Sequence, residues 1–254
     1  TAVAPALLTS DWCDGQIILT SPRRVAARAA AERMAELLGE PVGQRVGYIT
    51  RLDTKKSEKT RILVVTEAIF VNQILSDQEL NGVSAVLFDE AHERSLDCDL
   101  GLALARETQS VLRDDLRIGV MSATIDGEKF AAIMGHAPVI ESEGKAFPLD
   151  IRWLGSAPDL RIEDTMAKAV MTAWREQDGD ILAFLPGVRE IERCRERLVE
   201  RLSDTPVLPL HGQVQPADQR KAIRSDPDGK RRIVLATSIA ETSLTLEGVS
   251  VVVD

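Results

Sequence analysis

The chain has 254 residues, enough for one large domain or two of ordinary size, and its 44% hydrophobic residues can supply the cores. It lacks an apolar run of the ~18 residues that a membrane span needs. Its three cysteines are odd in number, far apart and never spaced C-x-x-C, which argues against a disulfide framework or a zinc site, so we expect a cytoplasmic protein without membrane contact. The net charge of −9 argues against a protein that coats nucleic acid by non-specific electrostatics, but it leaves room for a channel where a few arginines meet phosphates.

Short apolar runs alternate with helical patterns along the first part of the chain. Such alternation favours parallel strands that are joined by crossover helices. The predicted elements are a strand at 15–22, a helix from Pro22 to Gly39, a strand running into a helix at 60–70, a strand at 84–91, a helix at 98–112, a strand at 116–124 and a helix at 126–134.

The alternation breaks at residues 137–160, where three prolines and two glycines predict an interdomain passage and an edge strand. It then restarts with a helix at 162–177, a strand at 180–187, a helix at 188–202, a strand at 206–210, a helix at 216–225 and strands at 232–238 and 249–254. The fold class is therefore α/β, with two tandem lobes. The apolar stripe of the helix at 188–202 predicts a packed face with a solvated back and not a nucleic-acid patch.

The segment "VSAVLFDEAHERSLD", residues 83–97, places Asp89, Glu90 and His92 directly after an apolar strand. In open parallel sheets, ligands bind beyond the carboxyl ends of the strands. Two carboxylates there can hold Mg²⁺ on the phosphates of a nucleotide, and one of them can orient or deprotonate an attacking water. The structural alternative is an acidic first turn of a helix, where Asp and Glu are favoured.

The D-E-A-H-E-R sequence after an apolar strand resembles motif II of the DEAH-box helicases, and it is one of seven matches in the family's order. The other six are "TSPRRVAA" (20–27, motif Ia), "TEAIF" (66–70, Ib), "MSAT" (121–124, III), "ILAFLPGVREIE" (181–192, IV), "PLHGQVQPADQ" (209–219, the following Q-containing motif) and "ATSIAETSLTLEGV" (236–249, V). Residues 141–153 and 185–194 are most similar to the bacterial HrpB type.

This resemblance implies two RecA-like lobes, each a mostly parallel sheet flanked by helices, at residues 1–146 and 147–254. ATP would bind between the lobes with Mg²⁺, and RNA would cross their top. Asp89 and Glu90 would engage Mg²⁺ and the catalytic water, with Glu90 as the base, and His92 would link the phosphate site to the second lobe.

Other roles that the resemblance implies concern coupling and RNA. Ser122 and Thr124 would couple hydrolysis to strand movement, although "SAT" without its neighbouring motifs is better explained by an ordinary turn of small residues. Glu247 would reach a ribose hydroxyl of the nucleotide. Four further residues would contact RNA, where charged and hydroxyl donors at loop edges suit phosphates: Arg23, Arg24, Thr66 and Thr237. We interpret His211 as structural.

Two family motifs are absent from these residues. The phosphate loop G-x-x-x-x-G-K-[ST] does not occur, and the sequence stops before the arginine-rich motif VI that would supply an arginine finger. We expect both to lie beyond the two ends, and we expect the 254 residues alone to have little ATPase activity. Within motif V, Ser238 and Glu247 stand where many relatives carry Asn and Asp.

The favoured function is an ATP-driven RNA helicase that moves along single-stranded RNA, in the 3′ to 5′ direction as the resemblance implies. Two alternatives remain. One is a non-catalytic RNA-binding or regulatory protein of two-lobe shape; the other is a motor that acts on DNA, because nothing in the sequence indicates recognition of the 2′-hydroxyl group. The sequence does not reveal whether the protein has a protein partner.

Overall fold

A computed structural model describes residues 2–123, 127–142, 147–155, 159–241 and 244–254. The chain divides into two compact units, Thr1–Ser142 and Glu143–Asp254. The predicted lobe boundary between residues 146 and 147 adjoins a stretch outside the described residues, and its position stays a prediction. In the described part of the chain, no helix combines the length and the apolar character that a membrane crossing requires.

The first unit is built on a six-stranded sheet in the order β3-β2-β4-β1-β5-β6, parallel throughout except for the antiparallel β2–β3 pair. Its strands are β1 (Gln16–Ser21), β2 (Val46–Ile49), β3 (Thr54–Lys55), β4 (Ile62–Thr66), β5 (Val83–Phe88) and β6 (Arg117–Val120). Its helices are α1 (Val3–Leu7), α2 (Arg24–Leu37), α3 (Glu67–Ser76), α4 (Leu96–Val111) and α5 (Gly127–Ile133).

Both faces of this sheet are covered by helices, which explains why its central strands are apolar throughout. Successive residues of a strand point to opposite faces. Ile17 and Leu19 accordingly pack into the core beneath α2, whereas Ile18 packs into the core beneath α3 and α4. All six residues of β5 are buried. The polar residues that follow β5 therefore stand at the edge of a rigid central strand.

The second unit contains a four-stranded parallel sheet in the order β10-β7-β9-β8. Its strands are β7 (Asp180–Phe184), β8 (Val207–Leu210), β9 (Ile233–Ala236) and β10 (Val249–Val253). Its helices are α6 (Ile162–Glu176), α7 (Val188–Val199) and α8 (Pro216–Ile223). Helix α7 buries Ile191 and Leu198 in the core, so the predicted packed face is confirmed. Two α/β units with mostly parallel sheets confirm the predicted fold class.

The predicted edge strand within 137–160 is not found among the residues described there, 137–142, 147–155 and 159–160. Phe147, Leu149, Ile151 and Trp153 alternate with other residues as a strand would, yet each is at least 70% exposed. Pro148 lies within this run and has no N–H to give to a neighbouring strand. An alternating pattern is therefore insufficient here without a partner strand.

Four arginines donate hydrogen bonds to backbone carbonyls at the amino edges of the two sheets. Arg61 donates to the loop before β1, and Arg113 to the loop before β5. In the second unit, Arg231 donates to the loop before β7, and Arg232 to the end of α8 and the residue Glu247 before β10. These arginines stabilise the edge that lies opposite the carboxyl ends of the strands.

Candidate functional site

The candidate site lies where β5 ends, between the ends of its neighbours β1 and β6. The Asp89 N–H donates to the Thr20 carbonyl of β1 at 3.3 Å. On the other side, the Met121 N–H donates to the Phe88 carbonyl at 2.8 Å and the Ala91 N–H to the Met121 carbonyl at 3.1 Å. Backbone bonds from two neighbouring strands thus fix the position of the acidic pair.

The backbone at this site adopts a left-handed conformation that residues other than glycine rarely adopt. Glu90 and Arg94 have φ values of 53° and 50°, and they flank a single 3₁₀ turn, Ala91–Glu93. Left-handed backbone costs roughly 1–2 kcal/mol at a non-glycine residue. The Glu90 N–H donates to Asp89 Oδ1 at 3.1 Å, which offsets part of that cost. Such strain is concentrated at functional sites in proteins and supports a functional interpretation of the pair.

Burial and like charge disfavour ionisation of both acids. Burial raises the pKa of Asp89 above its usual value, and burial together with the neighbouring Asp89 charge raises the pKa of Glu90. His92 acts in the opposite direction and lowers the pKa of Glu90, because its Nε2 lies 3.4 Å from Glu90 Oε2. A carboxylate whose basicity is raised in this way is suited to accept a proton.

Two adjacent carboxylates fit Mg²⁺, which is usually bound through one or two carboxylates and takes its other ligands from phosphates and water. Among the residues that the structure describes, no group of three or more His, Cys, Asp or Glu could hold a metal ion. Asp89 and Glu90 supply two carboxylates, and the usual coordination of Mg²⁺ leaves its remaining positions to phosphates and water.

His92 connects the acidic pair to the segment after β6. Its Nδ1 accepts a hydrogen bond from the Ala123 N–H at 3.3 Å, so the ring proton belongs on Nε2, which faces Glu90. Ser122 is exposed beside this contact, and Thr124 lies outside the described residues. The structure thus joins His92 to "MSAT", whereas the predicted link from His92 to the second lobe stays a prediction.

Residues predicted to bind RNA in the first lobe lie at the ends of β1 and β4, which are adjacent strands. Arg24 and Thr66 line one groove of about 440 Å³ together with Arg51. Arg23 instead forms an ion pair with Glu93, at 3.5 Å between Nη2 and Oε2. The structure therefore gathers these three predicted residues around one region of the carboxyl edge.

The two site residues predicted in the second lobe lie at opposite edges of its sheet. Thr237 directly follows β9 at the carboxyl edge, and its N–H donates to the Leu210 carbonyl at 3.3 Å. Glu247 precedes β10 at the amino edge, where its Oε2 accepts a hydrogen bond from the Ser225 N–H at 3.3 Å. The structure does not bring this pair together, and the ribose contact of Glu247 stays a prediction.

Sequence reasoning missed three residues of this region: Arg51, Glu67 and Ser95. Arg51 follows the unpredicted strand β2 and lines the groove beside Arg24. Ser95 N-caps α4, because its Oγ accepts a hydrogen bond from the Cys98 N–H at 3.0 Å. A serine just before an apolar periodic run is a recognisable cap signal, whereas the partner of Glu67 is visible only in three dimensions.

Two family models match the chain. Residues 1–133 match the family model described as DEAD/DEAH box helicase, and residues 163–254 match the helicase conserved C-terminal domain. The chain belongs to the DEAD/DEAH box helicase family.

Among its relatives, the chain is 47% identical to the ATP-dependent RNA helicase HrpB of Escherichia coli, over 98% of this chain and 31% of that protein. It is 39% identical to the ATP-dependent RNA helicase HrpA homolog of Haemophilus influenzae, over 94% and 18%. The crystal structure of the E. coli DEAH/RHA helicase HrpB matches with a TM-score of 0.92 at 46% identity, over 99% of this chain and 32% of that chain. The predicted resemblance to the HrpB type is confirmed, and the chain spans about a third or less of these relatives.

Proposed function

We propose that these residues form part of the motor of an ATP-dependent RNA helicase, which couples ATP hydrolysis to movement along single-stranded RNA in the 3′ to 5′ direction and to duplex unwinding. The observation that carries the proposal is the strained acidic pair at the end of β5, which His92 connects to the Ala123 N–H. The names of the two curated relatives, both ATP-dependent RNA helicases, support the same function. The proposal applies to the longer protein, which means a chain of the relatives' length that contains these residues.

At the phosphate site, Asp89 and Glu90 would hold Mg²⁺, which supplies positive charge against the phosphates when bound. Glu90 orients the attacking water and accepts its proton, because its side chain lies beside Asp89 and is kept basic by burial. His92 holds the Glu90 side chain on one side and the backbone of "MSAT" on the other. Ser122 and Thr124 then pass the state of the phosphate site onward.

The sugar–phosphate backbone of RNA is contacted in the first unit by Arg23, Arg24 and Thr66, and in the second unit by Thr237. These contacts hold the strand without selecting its sequence, as a motor that moves along RNA requires. The three cysteines are free and buried, which supports a cytoplasmic location.

The function is tested by comparing Glu90→Gln with Asp89→Asn in the longer protein. Gln keeps the shape of Glu but cannot act as a base, so ATP turnover should fall by about 10²–10⁴-fold, while Mg·ATP affinity changes little. Asp89→Asn should lower both turnover and Mg·ATP affinity. The matched control is Glu107→Gln, an exposed acid on α4 of the same lobe, which should leave both quantities unchanged.

The outcomes separate the proposed function from its alternatives. Normal turnover in Glu90→Gln would refute the catalytic role; the structure already excludes the alternative of an acidic first turn of an α-helix, because α4 begins only at Leu96. A parent protein that binds RNA without hydrolysing ATP would be a non-catalytic RNA-binding protein. Equal competition by RNA and DNA of one sequence would indicate a motor without preference for the 2′-hydroxyl group.

A further inference from the structure

Two side-chain contacts join the DEAH segment, residues 89–95, to the elements that carry the predicted RNA contacts. The Ser95 hydroxyl donates a hydrogen bond to Oε2 of Glu67, the first residue of α3 and the direct neighbour of Thr66. The ion pair between Arg23 and Glu93 is the second contact. The DEAH segment therefore touches both the β4–α3 junction and the β1–α2 junction.

Glu67 occupies a position that is costly for a carboxylate. The residue is only 7% exposed, and burial raises its pKa above the usual value. Two further acids, Glu93 and Asp97, act in the same direction. Acidic side chains are seldom buried unless they are hydrogen-bonded. Glu67 also lines the groove together with Arg24, Arg51 and Thr66, and its carboxylate accepts the hydrogen bond from Ser95.

Ser95 has little freedom to move independently of Glu67. Its oxygen accepts from the Cys98 N–H at 3.0 Å and caps α4, while its proton goes to Glu67. Both hydrogen-bonding functions of the hydroxyl are therefore engaged in one orientation.

The backbone between Ser95 and the acidic pair is tightly turned. Arg94 and Glu90 both have left-handed backbone on either side of one 3₁₀ turn. Such conformations have few low-energy neighbours for residues with side chains. The turn that links Ser95 to Glu90 is therefore short and conformationally restricted.

We propose that Glu67 is a positioning residue, which transmits the occupancy of the groove beside Thr66 through Ser95 to the orientation of Glu90. The occupant of the groove is the phosphate backbone of a nucleic acid, which Arg24, Arg51 and the Thr66 hydroxyl can contact, while the acids Glu67 and Asp97 also line the groove. The inference rests on the proposed function, because it requires that Glu90 acts on ATP. The competing explanation is that Glu67 merely favours the amino end of α3.

The first experiment measures ATP turnover of the longer protein with and without polyuridylate RNA in the parent, Glu67→Ala and Glu67→Gln. In Glu67→Ala, we expect the ratio of turnover with RNA to turnover without RNA to fall by about 10-fold, a typical size for coupling between sites. Glu67→Gln retains an acceptor for the Ser95 hydroxyl and should keep most of the stimulation. The matched control is Glu79→Ala, an exposed acid beyond the far end of α3.

The second experiment alters Ser95, which donates the same hydrogen bond. Ser95→Ala should reproduce the loss of stimulation, Ser95→Thr should restore it because the hydroxyl is kept, and Ser110→Ala at the other end of α4 serves as control. The double variant Glu67→Ala with Ser95→Ala should lose no more stimulation than either single variant, since the two substitutions remove the same hydrogen bond.

Equal losses of basal and stimulated turnover, or additive losses, would show that Glu67 is only structural. A parent without RNA-stimulated turnover would overturn the proposed function and this inference together, whereas equal or additive losses in a responsive parent overturn this inference alone.

Discussion

Arg232→Met should strongly destabilise the second lobe, because Arg232 is a buried charge with several partners. Its side chain is only 2% exposed, and its Nε donates to Asp180 Oδ2 at 2.8 Å. Its two Nη atoms donate to the carbonyls of Lys221 at 2.6 Å and Glu247 at 2.7 Å. The bonds join the start of β7 to the end of α8 and to the entry of β10.

The expected cost follows from what the substitution leaves behind. Methionine fills much of the volume but gives the buried Asp180 carboxylate no cation, and removing one member of a buried ion pair costs ~3–5 kcal/mol. The carbonyls of Lys221 and Glu247 also lose a donor. We therefore expect a loss of about 3–5 kcal/mol in the free energy of unfolding. A double variant that adds Asp180→Asn should recover part of this loss, since it removes the uncompensated charge.

The measurement is native-state hydrogen exchange at the amides of β7 and β9, which reports the stability of this lobe by itself. The matched control is Arg152→Met, because Arg152 forms ion pairs with Asp150 and Glu176 at the surface, where such pairs contribute ~0–1 kcal/mol. If Arg232→Met were no more destabilising than this control, the argument from burial would be refuted.

Two further predictions concern the coupling segment and the pH dependence of the second lobe. In the longer protein, replacing Ser122 and Thr124 together by Ala should lower duplex unwinding more than ATP hydrolysis; a parallel fall of both rates would contradict the coupling role. Burial lowers the pKa of His211, and its Nδ1 accepts from the Gln213 N–H, so the unfolded chain binds the proton more readily. Stability of the second lobe should therefore fall as the pH drops below about 6.5, and His211→Gln should flatten this fall in hydrogen exchange measured across that range.

Much of the fold could be predicted from the sequence because its strands are buried on both faces. Runs such as Val83–Phe88 are apolar throughout and are followed by residues with clear helical periodicity. The hairpin of β2 and β3 was missed, since β2 has four residues, one of them Gly47, and β3 has only two. Strand order is not visible in such runs, because it depends on the packing of the crossover helices.

The candidate site was only partly predictable, for a related reason. The placement of Asp89 and Glu90 follows from a general property of parallel sheets. The left-handed backbone of Glu90 does not, because glutamate has no preference for it and the neighbouring strands impose it. The bond between Glu67 and Ser95 spans 28 positions of sequence. Its existence depends on how α3 and α4 pack together, and no local pattern encodes that packing.

The arginines at the amino edges of the two sheets change how the charge of this protein should be counted. Hydrogen bonds to the chain's own carbonyls, at the amino edge of each sheet and away from the carboxyl ends of the strands, are donated by Arg61, Arg113, Arg231 and Arg232. These four residues stabilise the fold, and they do not form part of the positively charged surface that a polyanion meets at the carboxyl edges. If every arginine were substituted in turn and RNA affinity measured, two kinds of effect would therefore be mixed. Some substitutions would lower the stability of the fold, and others would remove a direct contact with RNA.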